Sequence, residues 1–143
     1  MTPPPESDDS LVSKINDITN NINYTEFFSL NDYKKALVSI DKDAQKIRTL
    51  ASRIKNTTTQ RIYLRASYII IYDMYRVKVG EIFSMSKLST YGFGLGDMKD
   101  FYKKALNLNK KIQSFDKTDI ELIQDLKLEE QQINNFLIKV NAS

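Results

Sequence analysis

Thr59-Gln-Arg-Ile-Tyr-Leu-Arg-Ala-Ser-Tyr-Ile-Ile-Ile-Tyr-Asp-Met-Tyr-Arg-Val-Lys-Val-Gly-Glu-Ile-Phe-Ser-Met-Ser86 is the stretch on which the fold turns. Its core, Ile69-Ile70-Ile71, has the β-branched run of a buried strand when taken alone. The length of the whole stretch and the absence of turn signals within it assign it to helix instead. Ile62, Leu64, Ala66, Ile69, Ile70, Ile71, Met74, Val77, Val79, Ile82, Phe83 and Met85 surround the axis on nearly every side. A helix apolar all round must be enclosed by other helices. Residues 59–86 are therefore predicted to be a long, largely buried central helix.

The flanking segments supply those partners. Before it, residues 31–55 carry Tyr33, Leu37, Ile40, Ala44, Ile47, Leu50, Ala51 and Ile54 in one stripe, with Lys and Asp opposite. That predicts an amphipathic helix about 38 Å long at 1.5 Å per residue. Asn56 and Thr57–Thr59 separate the two, and a threonine here is expected to cap the central helix. Leu11, Ile15, Ile18 and Ile22 recur at helical spacing over residues 10–23, with Ser10 as the expected N-cap. Tyr24–Leu30 connects, with Phe27 and Phe28 expected to plug the core.

After the central helix, Phe101, Ala105, Leu108, Ile112 and Phe115 face one way over residues 98–114, a helix expected to be capped by Asp97. Thr118-Asp119-Ile120-Glu121 has the form of a capping box. It opens a last helix with Leu122, Ile123, Leu126, Ile133, Phe136, Leu137 and Val140 on its core side. No alternating strand pattern occurs. The expected fold is all-α: an up-and-down antiparallel bundle of four to five helices joined by mostly short connectors.

Length and composition agree. The chain has 143 residues, enough for one domain with a real core. All three prolines lie at Pro3–Pro5, so nothing beyond them forbids helix until the glycines near residue 92. Residues 1–8 have the Pro, Ser and acidic content of a disordered tail or linker, or the stub of a longer gene product, leaving residues 9–143 as the helical domain. They lack the basic and apolar regions of a signal peptide. The longest near-continuous apolar run, Ala66–Tyr72, is far shorter than the ~20 residues of a membrane span.

There is no His, no Cys and no Trp. The commonest general base, the usual zinc ligands and the thiol nucleophile are thus missing, and no disulfide framework exists. Asp41/Asp43 and Glu129/Glu130 are paired acids, but helical spacing puts them on solvent-type faces. Asp73, among Ile69, Ile70 and Val77, is expected to be buried and paired with Arg76. No cofactor, metal or catalytic residue is assigned, and a non-enzymatic role is expected. Three Asn-x-Ser/Thr sequons, at Asn23, Asn56 and Asn141, lean toward an extracytoplasmic setting without fixing the compartment.

Two constellations are candidates for contact with a partner. The first is Tyr91-Gly-Phe-Gly-Leu-Gly-Asp97, which holds three of the four glycines. Bare backbone N–H groups at a helix start invite an anion. Here the motif follows a helix rather than a strand, has no Lys, and carries Asp97 and Asp100 where a phosphate would sit. It reads as a turn, and Tyr91, Phe93 and Leu95 either fold onto the bundle end or face a protein partner. The second is the stripe Arg61, Arg65, Tyr68, Tyr72 and Arg76, at steps of three and four on the central helix. Arginine meets phosphate and tyrosine stacks on bases, so this stripe is the alternative, a nucleic-acid surface. The plainer expectation is that the tyrosines are half-buried and the arginines pair with Glu121, Asp125 and Glu129.

Charge is unevenly spread. Residues 1–56 are net zero, residues 57–115 are net +6, and residues 116–143 are net −3. Helices facing each other across the fold account for such a pattern, and the overall pI near 9.0 falls short of a strong nucleic-acid footprint.

Tyr-Lys-Lys-Ala-Leu occurs at Tyr33–Leu37 and again at Tyr102–Leu106. The phrase resembles the second-helix signature of the tetratricopeptide repeat, and its spacing is about two of that family's 34-residue periods. The resemblance implies a helical adaptor. No copy lies near residues 67–71, the glycine expected about nine residues before each tyrosine is absent, and the second and third segments are long for that repeat. A single bundle that holds another protein is the main expectation, and a repeat-like adaptor is an alternative.

Overall fold

The computed structural model describes residues 6–22, 29–78, 92–115 and 117–141. Its described residues form five α-helices, with no strand among them: α1 (Asp8–Asn20), α2 (Leu30–Ala51), α3 (Thr57–Asp73), α4 (Leu95–Phe115) and α5 (Ile120–Asn141). Each helix packs chiefly on the next in sequence, so the bundle is an up-and-down array with α1 at one edge and α5 at the other.

The central helix ends sooner as a regular α-helix than its sequence predicts. After Asp73 the backbone changes to one π-helical turn, Met74–Lys78. A π turn displaces the carbonyl ladder. The displaced Met74 carbonyl accepts a hydrogen bond from the Tyr33 hydroxyl of α2 at 2.8 Å. Residues 79–86 of the expected helix lie outside the described residues, as do Tyr24, Phe27, Phe28 and the Asn23 sequon.

Two connected cores result. One gathers Leu11 and Ile15 of α1, Tyr33, Ile40 and Ile47 of α2, Ile70 and Ile71 of α3, and Phe93, Met98 and Phe101 at the start of α4. The other gathers Tyr72 with Ala105, Ile112, Leu126, Ile133 and Leu137. Tyr75, Tyr102, Leu108 and Phe136 pack against both. The first part of α3 is more open than an all-round apolar helix implies, with Ile62 exposed.

Four of the five helices start on a polar side chain that takes an orphan N–H, but the capping residues differ from those expected. Ser7, not Ser10, caps α1, accepting from the Ser10 N–H at 3.1 Å. Ser29 caps α2 through the Asp32 N–H. Asn56, rather than a threonine, caps α3 through the Thr59 N–H. α4 begins at Leu95, two residues before Asp97, and Asp97 reaches back to accept the Gly94 N–H at 2.9 Å. Asp119, not Thr118, caps α5 through the Leu122 N–H.

The expected tail is engaged at its inner end. Asp8 accepts the Lys55 and Asn56 N–H groups at 2.9 and 3.0 Å, which ties the start of α1 to the α2–α3 turn. Glu6 pairs with Lys14 and Arg53. Gln60 closes the same turn by donating to the Ser52 and Ile54 carbonyls.

Candidate interaction surfaces

The glycine loop divides between core and surface. Tyr91 lies outside the described residues. Gly92 has φ +81°, a left-handed conformation in which a side chain is strained. That turn aims Phe93 inward, where it is 3% exposed and meets Tyr33 and Phe101 edge-on, with centroids 5.6 and 6.2 Å away. Phe93 is therefore a core residue and not a partner-binding one. Leu95, two residues on, is 52% exposed. The Asp97 carboxylate fills the Gly94 N–H, so acid sits at the helix start where a phosphate would bind.

The stripe on α3 is largely used within the fold. Tyr72 is buried, and its hydroxyl accepts from Asn109 and donates to Glu129. Burial holds its phenol well above the ordinary tyrosine range. Tyr68 is half-buried and stacks on Phe115, while Arg48 and Lys111 each bring their charge to 4.6 Å from its ring centre. Arg76 holds the Glu129 carboxylate at 2.9 Å and Gln132 at 2.8 Å. Arg65 is half-buried and lies 3.7 Å from Asp119. The pairing expected with α5 is thus present at Glu129, with Asp119 taking the place of Glu121 or Asp125 at Arg65. Arg61 alone of the five is exposed, at the rim of an open cleft of about 400 Å³ with Ser114, Phe115, Lys117 and Thr118.

Three acids sit elsewhere than expected. Asp73 is exposed rather than buried. Glu129 and Glu130 are half-buried rather than on a solvent face, because α5 turns them toward α3 and α4. Among the described residues no group of three acids, histidines or cysteines could hold a metal ion, and no helix is long and apolar enough to cross a membrane.

Asn109 was not singled out by sequence. It is fully buried, donates to the Leu126 carbonyl at 2.8 Å and to Tyr72, and accepts from Gln113 at 2.6 Å. Its position in register with Phe101, Ala105 and Ile112 on the inward stripe was the available signal. With it, every buried side-chain nitrogen and oxygen among the described residues has a partner.

The outer face of α5 is marked by no sequence motif. Leu126, Ile133 and Leu137 are buried on one side of this helix. On the opposite side Ile120, Gln124, Leu128, Gln131, Asn135 and Ile138 are all exposed. Their spacing of three and four residues puts them in one band, and none carries a charge. Ile120, Leu128 and Ile138 are 67%, 57% and 67% exposed. At 1.5 Å per residue the band runs about 27 Å along the helix.

The two Tyr-Lys-Lys-Ala-Leu copies occupy different environments. Tyr33 is fully buried and Tyr102 half-buried, whereas Ala36 is half-buried and Ala105 fully buried. The chain matches no family model, no curated protein and no solved structure in the comparisons made.

Proposed function

We propose that the protein is a non-enzymatic helical module that holds another protein through the outer face of α5. The observation that carries this reading is the uncharged band at residues 120–138, with three large aliphatic side chains left in solvent on an edge helix. An exposed helix face is ordinarily charged. Depletion of charge with retention of aliphatic area is the composition of an interface centre. The lack of His and Cys across the chain supports a role without covalent or metal chemistry.

Among the earlier candidate residues, Leu95 remains available to a partner at the far end of the bundle from the α2–α3 turn. The nucleic-acid alternative receives less support. Tyr72 is buried, the Tyr68 ring is occupied by Phe115, and Arg76 is committed to Glu129. The adaptor alternative is weakened by the unlike burial of the two pentapeptides.

Affinity capture with the wild-type chain and with a Leu128→Glu/Ile138→Glu variant tests the proposal. Specifically retained proteins are expected to be lost with the variant while its far-ultraviolet circular dichroism is unchanged. Retention of all of them by the variant would overturn it. Titration with a single-stranded oligonucleotide at low and high salt tests the alternative, and no binding is expected even at low salt.

A further inference from the structure

We infer that the partner recognised by the outer face of α5 is a second copy of the same chain, with the two α5 helices packed antiparallel about a two-fold axis between Glu129 and Glu130. This inference rests on the reading of that face as the interaction surface.

A symmetric dimer needs a face that is complementary to itself. The α5 band meets that condition by its order of residues. From the centre outward, one arm carries Leu128, Gln124 and Ile120, and the other Gln131, Asn135 and Ile138. Turning one helix end for end sets Ile120 opposite Ile138 of the second copy and Gln124 opposite its Asn135. The first is an aliphatic pair. The second is a pair of amides, each able to donate and accept. The two Leu128 side chains fall on either side of the two-fold, about 4.5 Å apart along the helix direction, and form an apolar centre flanked by the two Gln131 side chains.

Charge selects the antiparallel direction. Of the exposed charged residues of α5, Glu121, Asp125 and Lys127 lie in the first half and Lys139 alone in the second. Glu121 and Lys139 are both exposed and eighteen residues apart. At 3.6 residues per turn that is five whole turns, so they share one flank of the band. Antiparallel packing brings Glu121 of each copy to Lys139 of the other. Parallel packing would set Glu121 against Glu121 and Lys139 against Lys139. One helix from each chain gives an interface at the small end of the specific range, so a reversible, concentration-dependent dimer is expected.

Sedimentation velocity from micromolar to millimolar concentration, at low salt, tests the inference on the full chain. The wild type is expected to move from monomer to dimer. Leu128→Glu should weaken the dimer at least tenfold, Glu121→Lys should weaken it severalfold, and Glu121→Lys/Lys139→Glu should recover most of that loss. Each variant is checked by circular dichroism, and all three positions are exposed, so folding is expected to be retained.

Because the chain has no cysteine, direction can be read separately. A short bis-maleimide should link Gln124→Cys to Asn135→Cys in a mixture of the two single variants. A wild type that stays monomeric throughout, an unchanged dimer in Leu128→Glu, or linkage only within each single variant would overturn the inference. A monomeric wild type whose captured proteins are still lost with Leu128→Glu/Ile138→Glu would remove the self-pairing and leave the interaction role standing. No loss in either assay would remove both.

Discussion

The side-chain amide of Asn109 donates to the hydroxyl of Tyr72 at 3.1 Å across the interface of α3 and α4. The same nitrogen donates to the Leu126 carbonyl, so one buried side chain bonds to three helices at once, its own included. Tyr72 passes the connection to Glu129, and Glu129 to Arg76. Polar groups in a low-dielectric interior are costly when left unpaired, so this network favours one arrangement of α3, α4 and α5 over sliding alternatives.

Replacing Asn109 should therefore cost more than its size implies. Asn109→Ala is expected to lower stability by about 1–3 kcal/mol from the unpaired groups it leaves. Asn109→Asp should cost more, because it buries a carboxylate and sets one of its oxygens against the Leu126 carbonyl. Urea unfolding followed by circular dichroism measures both. An Ala variant within experimental error of wild type would show that the network contributes little.

Phe93 and Leu95 are expected to behave oppositely although two residues apart. Phe93→Ala removes a buried ring packed on Tyr33 and Phe101, and should cost about 3–5 kcal/mol. Leu95→Ala removes an exposed side chain and should stay within about 0.5 kcal/mol of wild type. Thermal unfolding of the two variants separates a core role from a surface one.

Alkali should unfold the protein through its buried phenols. Burial raises the Tyr33 and Tyr72 pKa values above their ordinary value near 10. The folded state thus holds these protons more tightly than the unfolded state does. The resulting stability is complete below the unfolded pKa and is lost as pH rises above about 10. The urea midpoint should be flat at neutral pH and fall beyond that point. Tyr33→Phe should flatten the fall, and should cost about 1 kcal/mol at neutral pH through the lost bond to Met74.

Acid should loosen the α1 contact with the α2–α3 turn. The Lys55 and Asn56 N–H groups hold the Asp8 carboxyl below its ordinary value. Its contribution is present above the unfolded pKa and is lost as pH falls below about 4. Amide exchange of Lys55 and Asn56, corrected for intrinsic rates, should quicken in acid. Asp8→Asn keeps one acceptor and loses the carboxylate, so exchange there should be faster at neutral pH and insensitive to acid.

Local periodicity was enough for the helical class, the order of segments and the inward stripes of α1, α2, α4 and α5, while α3 reads as apolar all round and is not, with Ile62 exposed. Ile40, Ala44 and Ile47 on α2, or Phe101, Ala105 and Ile112 on α4, lie inward because 3.6-residue periodicity is a local property of the chain. Caps were legible as short polar clusters but not to the residue, since Ser7 against Ser10 or Asp119 against Thr118 depends on which residue first leaves the helical backbone, as Ser7 does at φ −67° and ψ 155°.

Tertiary structure decided what each candidate side chain faces. Phe93 points in because Gly92 turns the chain over α2. Tyr72 and Glu129 meet across 57 residues, and Asn109 meets Tyr72 across 37, distances in sequence at which periodicity carries no information. The same holds for the band on α5. Ile120, Leu128 and Ile138 are exposed because α5 closes one edge of the array and α4 and α3 cover only its other side. A helix's own sequence marks two faces, and which of them another helix covers is set by the order in which all the helices pack.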